Sequence, residues 1–279
     1  MRGGNPLPRP IKRLGQHFLR SREILERLMV VAEISQKDSV LEVGAGLGDM
    51  TAFLALRAKE VLALELDKRL LEILVSRFRE MPNVKVVHGD ALRLPIERVL
   101  MDLQRPRKVV ANLPYNVGTK ILLRLAEFPG EIDRMVLMFQ KEVAERITAI
   151  PGSRSYGSLT VLLALHWKAQ LAFVVPPWAF SPRPKVDSAV VVLEPLNEPR
   201  APVGDELLFR KLVKAAFGHR RKTLLNSLKS MPCASTEWVE ELLLRVGVDK
   251  NSRAETLSVE QFAALSNQAL ELGLPCHRG

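Results

Sequence analysis

Asn112-Leu113-Pro114-Tyr115 follows the apolar run Val109-Val110-Ala111. An amide side chain, a proline-stiffened turn and a flat aromatic ring therefore meet at the carboxyl edge of an expected buried strand. The amide oxygen and a carbonyl of the Leu-Pro turn can accept the two protons of an exocyclic amine, and the tyrosine ring is a stacking surface for a planar molecule. A nucleobase would reach such a pocket only by leaving its own stack. Asn, Pro and Tyr are also ordinary loop residues, so the tetrapeptide takes its meaning from what precedes it.

Upstream, Ser39-Val40-Leu41-Glu42-Val43 enters the turn Gly44-Ala45-Gly46-Leu47-Gly48 and then an apolar-periodic helix through Phe53, Leu54 and Leu56. Glycines at 44, 46 and 48 permit positive φ and let a ligand approach the backbone. The spacing G-x-G-x-G departs from the G-x-G-x-x-G of dinucleotide binders, so a pyrophosphate is not the expected guest. Val61-Leu62-Ala63-Leu64-Glu65 is a second strand, ending in a carboxylate 21 residues after Gly44. In open α/β sheets an acid at that place takes a ribose diol. A third strand, Val84 to His88, ends in Gly89-Asp90, whose carboxylate can accept from an adenine amine. Ribose, adenine and a close backbone without a phosphate clamp describe S-adenosylmethionine better than NAD. The bland alternative, solvated acids at strand ends, is disfavoured because both lie at the carboxyl edge where such sheets bind ligands.

Taken together, Glu42 to Gly48, Asn112 to Tyr115 and Gln16-His17-Phe18-Leu19 resemble motifs of the KsgA/RsmA group of ribosomal RNA adenine dimethyltransferases. Phe180-Ser181-Pro182-Arg183-Pro184-Lys185-Val186-Asp187-Ser188, Arg221-Lys222-Thr223-Leu224 and Arg253 to Ser258 agree in order and spacing. The resemblance runs from about residue 11 to 270. It implies a cofactor set of His17, Leu19, Gly44, Gly46, Glu65, Leu66, Asp90, Ala91 and Asn112, with His17 and Leu19 beside the methionine end. Relatives commonly carry asparagine where this chain has His17, and proline where it has Lys120. The catalytic set is Asn112, Leu113, Pro114 and Tyr115, with Phe180 expected as the second face of a stacking sandwich or, equally, as a core aromatic.

The elements that must hold these residues read as a parallel sheet. Strand-like runs near 39–43, 61–65, 84–88, 108–112 and 134–140 alternate with helical stretches such as 68–80 and 119–127. Ala172 to Val175 and Ser188 to Leu193, joined by a proline-rich loop, predict an antiparallel hairpin closing the sheet. The pattern predicts an α/β fold plus a small C-terminal all-α domain, and the resemblance implies that the sheet is of the Rossmann-like class I S-adenosylmethionine-dependent methyltransferase kind. The linker Leu196 to Pro202 divides a catalytic domain, 1–198, from a helical RNA- or ribosome-binding domain, 199–279. In the latter, Leu208, Leu212, Val213, Ala216 and Phe217 form one apolar face, Trp238, Leu242 and Val246 a second, and Phe262, Leu265 and Leu270 a third.

A chain of 279 residues, 47% hydrophobic, can bury a full core plus a small second one. The net charge of +10 favours a polyanionic partner. Residues 1–22 and 210–229 contain cations and no acid, which favours a phosphate-contacting role over a merely solvated face, and the RNA contacts expected are Arg220, Arg221 and Lys222. The longest clean apolar run, Leu159 to Leu165, is far short of a membrane span. The N-terminus lacks the apolar core of a secretion signal. Its arginines also fit organelle import, against which stand Pro6, Pro8 and Pro10. The two cysteines, Cys233 and Cys276, have no metal-ligand spacing and imply no disulfide framework. A cytoplasmic, metal-free monomer is expected.

The resemblance implies dimethylation at N6 of two adjacent adenines near the 3′ end of 16S rRNA in the small (30S) ribosomal subunit, with a role in its maturation. Rivals are the resistance-type methylation of one adenine in 23S rRNA, a mainly non-catalytic assembly checkpoint, and a mitochondrial transcription-factor relative. The Phe180–Ser188 and Arg253–Ser258 segments favour the first, and the intact glycine turn and Asn112–Tyr115 favour retained catalysis.

Overall fold

The computed structural model describes residues 8, 10, 11, 15–219, 221–232 and 234–273. Its strands are β1 (Phe18–Leu19), β2 (Ser39–Val43), β3 (Glu60–Glu65), β4 (Val84–His88), β5 (Arg107–Asn112), β6 (Arg134–Gln140), β7 (Trp167–Val175), β8 (Phe180–Ser181) and β9 (Ser188–Pro195). Seven of them form one sheet in the order β4-β3-β2-β5-β6-β9-β7. The first five of that row run parallel, and β9 runs antiparallel to β6. The parallel α/β sheet and its closing β7–β9 pair are therefore as the alternation and the proline-rich loop predict. Every residue of β2 is buried, Val40, Leu41 and Val43 among them, as a strand covered on both faces requires.

Helices α1 (Arg22–Ala32), α2 (Asp49–Ala55), α3 (Lys68–Arg77), α4 (Ile96–Met101) and α5 (Gly118–Leu125) are interleaved with these strands. In α1, Ile24, Leu25, Leu28, Met29 and Ala32 recur at helical spacing and pack on Val40, Val61, Val110, Val136 and Val190. Each of the Ile, Leu and Met side chains contributes roughly 1.5–3 kcal/mol by removal from water. The Ser21 hydroxyl accepts from the Ile24 N–H and starts the helix. Glu33, in the left-handed conformation at φ 50°, ends it.

Packing divides the chain into two compact units, one of residues 1–144 with 169–195 and one of 145–168 with 196–279. This departs from the boundary expected at 198/199. The second unit contains α7 (Ser158–Ala164), α8 (Glu206–Ala216), α9 (Leu224–Leu228), α10 (Thr236–Val246) and α11 (Val259–Leu272), while α6 (Lys141–Ile147) crosses the division. Tyr156, Val161 and Leu165 belong to the same core as Phe209, Leu212, Val239, Leu242, Phe262 and Leu265. The Tyr156 hydroxyl donates to the Leu257 carbonyl at 2.9 Å. The apolar run 159–165 reads from sequence as part of the sheet-forming domain because nothing local says which core an apolar helix will join. The three C-terminal apolar faces are present with one correction: Leu270 is 48% exposed and Ala269 is buried in its place. Leu270 lies eight residues beyond Phe262, about 80° round the helix. Among the described residues no helix is long and apolar enough to cross a membrane.

Candidate active site

The strand order reverses direction at β2, which has β3 on one side and β5 on the other. Crevices at the carboxyl ends of strands beside such a switch point are where open α/β sheets bind ligands. The β2–β5 register pairs Glu42 with Val110, so the turn that begins at Gly44 leaves β2 level with Asn112 at the end of β5. Glu65 and His88, the last residues of β3 and β4, are themselves register partners. Sequence segments far apart thus deliver their functional residues to one edge. A crevice there is lined by Gly44, Gly46, Leu66, Ala91, Asn112 and Tyr115, and also by His17, Leu19, Glu65, Asp90, Leu113 and Pro114.

The glycine turn is built as the spacing predicts. Gly44, Gly46 and Gly48 have φ of 77°, 61° and 82°, values that side-chain-bearing residues rarely adopt. A Cβ on Gly46 would come 3.1 Å from Phe18 Cδ1, so a side chain there would press the Phe18 ring back by a few tenths of an ångström. Glu65 is held by two backbone donors. Gly46 N–H meets Oε2 at 2.8 Å and Asp67 N–H meets Oε1 at 2.8 Å. Each oxygen keeps a lone pair for a diol. Burial raises the Glu65 pKa, opposed by those backbone hydrogen bonds. On the next strand end, Asp90 Oδ1 accepts from Leu92 N–H at 2.9 Å. The Arg124 guanidinium on α5 donates to the carbonyls of Leu92 and Leu94 and pins that loop.

The tetrapeptide is more specific in three dimensions than in sequence. Asn112 Nδ2 donates to the His17 carbonyl at 2.8 Å. That bond fixes the amide orientation and leaves Oδ1 as an acceptor. The Pro114 carbonyl already receives Val117 N–H at 3.2 Å and Gly118 N–H at 2.8 Å as α5 begins. Of the two carbonyls that could hold an amine proton, Leu113's is therefore the one left over. Tyr115 is fixed at both ends. Its hydroxyl shares a 2.5 Å hydrogen bond with Ser188 Oγ, and its ring stacks on His17 with centroids 5.2 Å apart and planes 26° off parallel. Burial raises the Tyr115 pKa, opposed by the bond to Ser188, so the phenol stays neutral near pH 7.

One expectation needs correction, one residue has a further contact, and one lies outside the described residues. Phe180 is 2% exposed, sits in the core with Leu19, Ile24 and Val190, and does not line the crevice. A stacking role for it requires the ring to leave that core. Its visible task is the β1–β8 pairing, Leu19 opposite Phe180 and Phe18 opposite Ser181. His17, expected beside the cofactor, also braces the other wall, because Nδ1 lies 2.8 Å from the Pro182 carbonyl. Arg221 and Lys222 are exposed in the turn before α9. Arg220 lies outside the described residues.

The sequence reading gave no role to Glu42, Gln16, Asp67 or Ser188. Gln16 accepts from Ile11 N–H at 2.8 Å and donates to Asp67 at 3.1 Å, holding the N-terminal segment against the β3 loop. Hydrogen bonding from Arg69, foremost, brings Asp67 down to about 2. Ser188 is wholly buried under Tyr115. Glu42 is also wholly buried. Its Oε2 accepts from Thr51 Oγ1 at 2.6 Å and its Oε1 has no partner among the described residues. Each is a polar residue within or a few positions from a strand, which propensity alone does not distinguish from a solvated side chain.

The sheet order and this crevice define a class I methyltransferase. A dimethyladenosine transferase from Plasmodium falciparum shares the fold with a TM-score of 0.77 and 26% identity, covering 92% of this chain and 99% of that one. The 23S rRNA methyltransferase ErmE does so with a TM-score of 0.66 and 27% identity, covering 90% and 98%. The profile of the family "Ribosomal RNA adenine dimethylase" matches residues 10–270, and the chain belongs to that family. Proteins called ribosomal RNA small subunit methyltransferase A are 44% identical over 264 residues in Geobacter metallireducens, covering 94% of this chain and 96% of that one. In Listeria monocytogenes the identity is 46% over 263 residues, covering 92% and 89%. S-adenosylmethionine fits the residues present. The paired backbone bonds aim Glu65 at a diol, the glycine turn leaves a Cβ-free approach, and no phosphate clamp intervenes.

Proposed function

We propose that the protein dimethylates N6 of two adjacent adenines near the 3′ end of 16S rRNA within the small (30S) ribosomal subunit, acting in the cytoplasm during subunit maturation. The observation that carries this is the fixed Asn112 amide. With Nδ2 committed to the His17 carbonyl, Oδ1 and the Leu113 carbonyl are two acceptors at one strand end, the number an exocyclic amine needs. The resemblance at 43–46% to small-subunit enzymes, against 27% to ErmE, supports this substrate over the large-subunit alternative.

S-adenosylmethionine, when bound, supplies a methyl group on a positively charged sulfur whose leaving group departs as a neutral thioether. Glu65 would hold its ribose, Asp90 and Ala91 its adenine, and the Gly44–Gly46 backbone with Leu19 its remainder. Asn112 and Leu113 draw both protons of the substrate amine, which favours a tetrahedral nitrogen with its lone pair freed from the ring. Tyr115 offers the base its face away from His17, a contact worth about 1–3 kcal/mol. The remaining task is orientation, which a rigid site supplies. No strong base is needed, because the methylated amine is acidic enough to lose its proton afterwards.

The test offers labelled S-adenosylmethionine with purified unmethylated small and large subunits separately, using wild-type protein and Asn112→Ala, and maps the modified adenines by primer extension. Label should enter the small subunit at adjacent adenines and fall by at least 100-fold in the variant, with cofactor affinity nearly unchanged. Label entering only the large subunit would overturn the substrate, and full activity of Asn112→Ala would overturn the mechanism.

A further inference from the structure

The segment between β7 and β9, residues 176–187, is tied down along its inner side together with Ser188, the first residue of β9. The Ala179 carbonyl accepts from the N–H groups of Arg20 at 2.8 Å and Ser21 at 3.3 Å. Phe180 and Ser181 pair with β1, the Pro182 carbonyl meets His17, and Ser188 holds Tyr115. One strap therefore fixes His17, which orients Asn112, and Tyr115, which would stack on the base. Its outer side is different in kind. Trp178 is 55% exposed and Arg183, Lys185 and Val186 are exposed. Arg183 and Lys185 make no ion pair or hydrogen bond among the described residues. The only acid of the segment, Asp187, is half-buried, and its carbonyl accepts from Lys141 N–H at 2.9 Å.

Along this one strap, then, an indole stays more than half exposed and two cations stay unpaired among the described residues. The combination suits a single-stranded nucleic acid, where bases stack on aromatic faces and phosphates meet cations. An adenine drawn out of its stack leaves neighbours that are themselves unstacked. We infer that the outer face of this strap grips the single-stranded RNA flanking the methylated adenine, with Trp178 stacked on a neighbouring base and Arg183 and Lys185 on its phosphates. This rests on the rRNA substrate proposed above and adds to it a contact surface on the sheet-bearing unit, apart from the basic turn at Arg221 and Lys222. Because one strap carries both faces, RNA held outside is held in register with the adenine inside.

The experiment measures methyl transfer and binding with full-length protein and whichever unmethylated subunit the wild type labels. A wrong substrate assignment then shows in the wild type alone, separately from any effect on the strap. Trp178→Ala should raise the KM for the subunit by about 5- to 150-fold, the equivalent of one lost base stack. Turnover at saturating subunit, cofactor affinity by calorimetry and the melting temperature should hold, and Trp178→Phe should recover most of the loss. Arg183→Ala with Lys185→Ala should flatten the slope of log affinity against log salt by about 1.4, or about 0.7 per phosphate contact on a single strand. Wild-type KM and salt slope in these variants would overturn the inference. So would a loss of cofactor affinity in step with the rise in KM, which would make the strap a purely structural brace.

Discussion

Glu42 is the residue whose chemistry departs furthest from its ordinary range. Burial pushes its pKa from 4.5 up to about 8; the Thr51 hydrogen bond pulls against this, Glu65 and Asp49 add to it, and Arg77 lowers it. The consequence for stability has a definite sign. Below about pH 4.5 folded and unfolded chains both hold the proton, and the ionisation of Glu42 contributes nothing to stability. Between 4.5 and about 8 the unfolded chain has released it while the folded chain keeps it, so stability falls as pH rises through that window and levels off above it. Glu42→Gln can keep the Thr51 bond and never ionises. Its stability advantage over the wild type should widen by a few kcal/mol between pH 5 and 8.5, measured by urea unfolding at each pH. A constant gap would mean that Glu42 ionises as an exposed glutamate does. Glu42 was legible as part of the glycine motif but not as a buried acid, since exposure depends on α2 and Thr51 folding back over it.

At the level of elements, the site is made by turns more than by helices and strands. Gly48 ends the glycine turn at φ 82° and caps α2, and a Cβ there would lie 2.6 Å from Phe78 Cε2 and 2.8 Å from Leu74 Cδ2. Both neighbours are buried at the end of α3, so neither yields freely. Gly48→Ala combines a strained backbone with overpacking and should cost about 2–4 kcal/mol, read as a lowered urea midpoint together with weakened cofactor binding. A midpoint at the wild-type value would show that the turn relaxes without touching α3. The glycine spacing made this turn readable from sequence. The β1–β8 pair was not, because two-residue strands have no periodicity and their pairing joins residues 18–19 to 180–181.

For the whole molecule, the division of the chain decides what can be separated. Cutting after residue 198 removes α8 to α11 but leaves Tyr156, Val161 and Leu165, which belong to the core those helices complete. A fragment of residues 1–198 should therefore expose this apolar surface, bind a hydrophobic dye and aggregate on warming. Deleting 145–168 as well, with a short bridge to 169, should relieve both effects, and light scattering compares the two. Equal behaviour of the fragments would mean that 145–168 finds other cover. Sequence located the linker at Leu196 to Pro202 from its prolines and polar residues. It did not reveal that an earlier segment had already left the first unit.

What the order of residues determined alone was local: the periods of strands and helices, the φ demands of the glycines, the amide-proline-aromatic run and the uneven charge. These depend on neighbours a few positions apart. The tertiary structure decided which amide proton of Asn112 was spent, which carbonyl remained for a substrate, whether Phe180 met solvent, and which core received residues 145–168. The Asn112 amide, Phe180 and residues 145–168 turn on partners tens to more than a hundred residues away, while the Pro114 carbonyl is spent on Val117 and Gly118 as α5 begins. A hydrogen bond or a buried face exists only once folding has brought the two together.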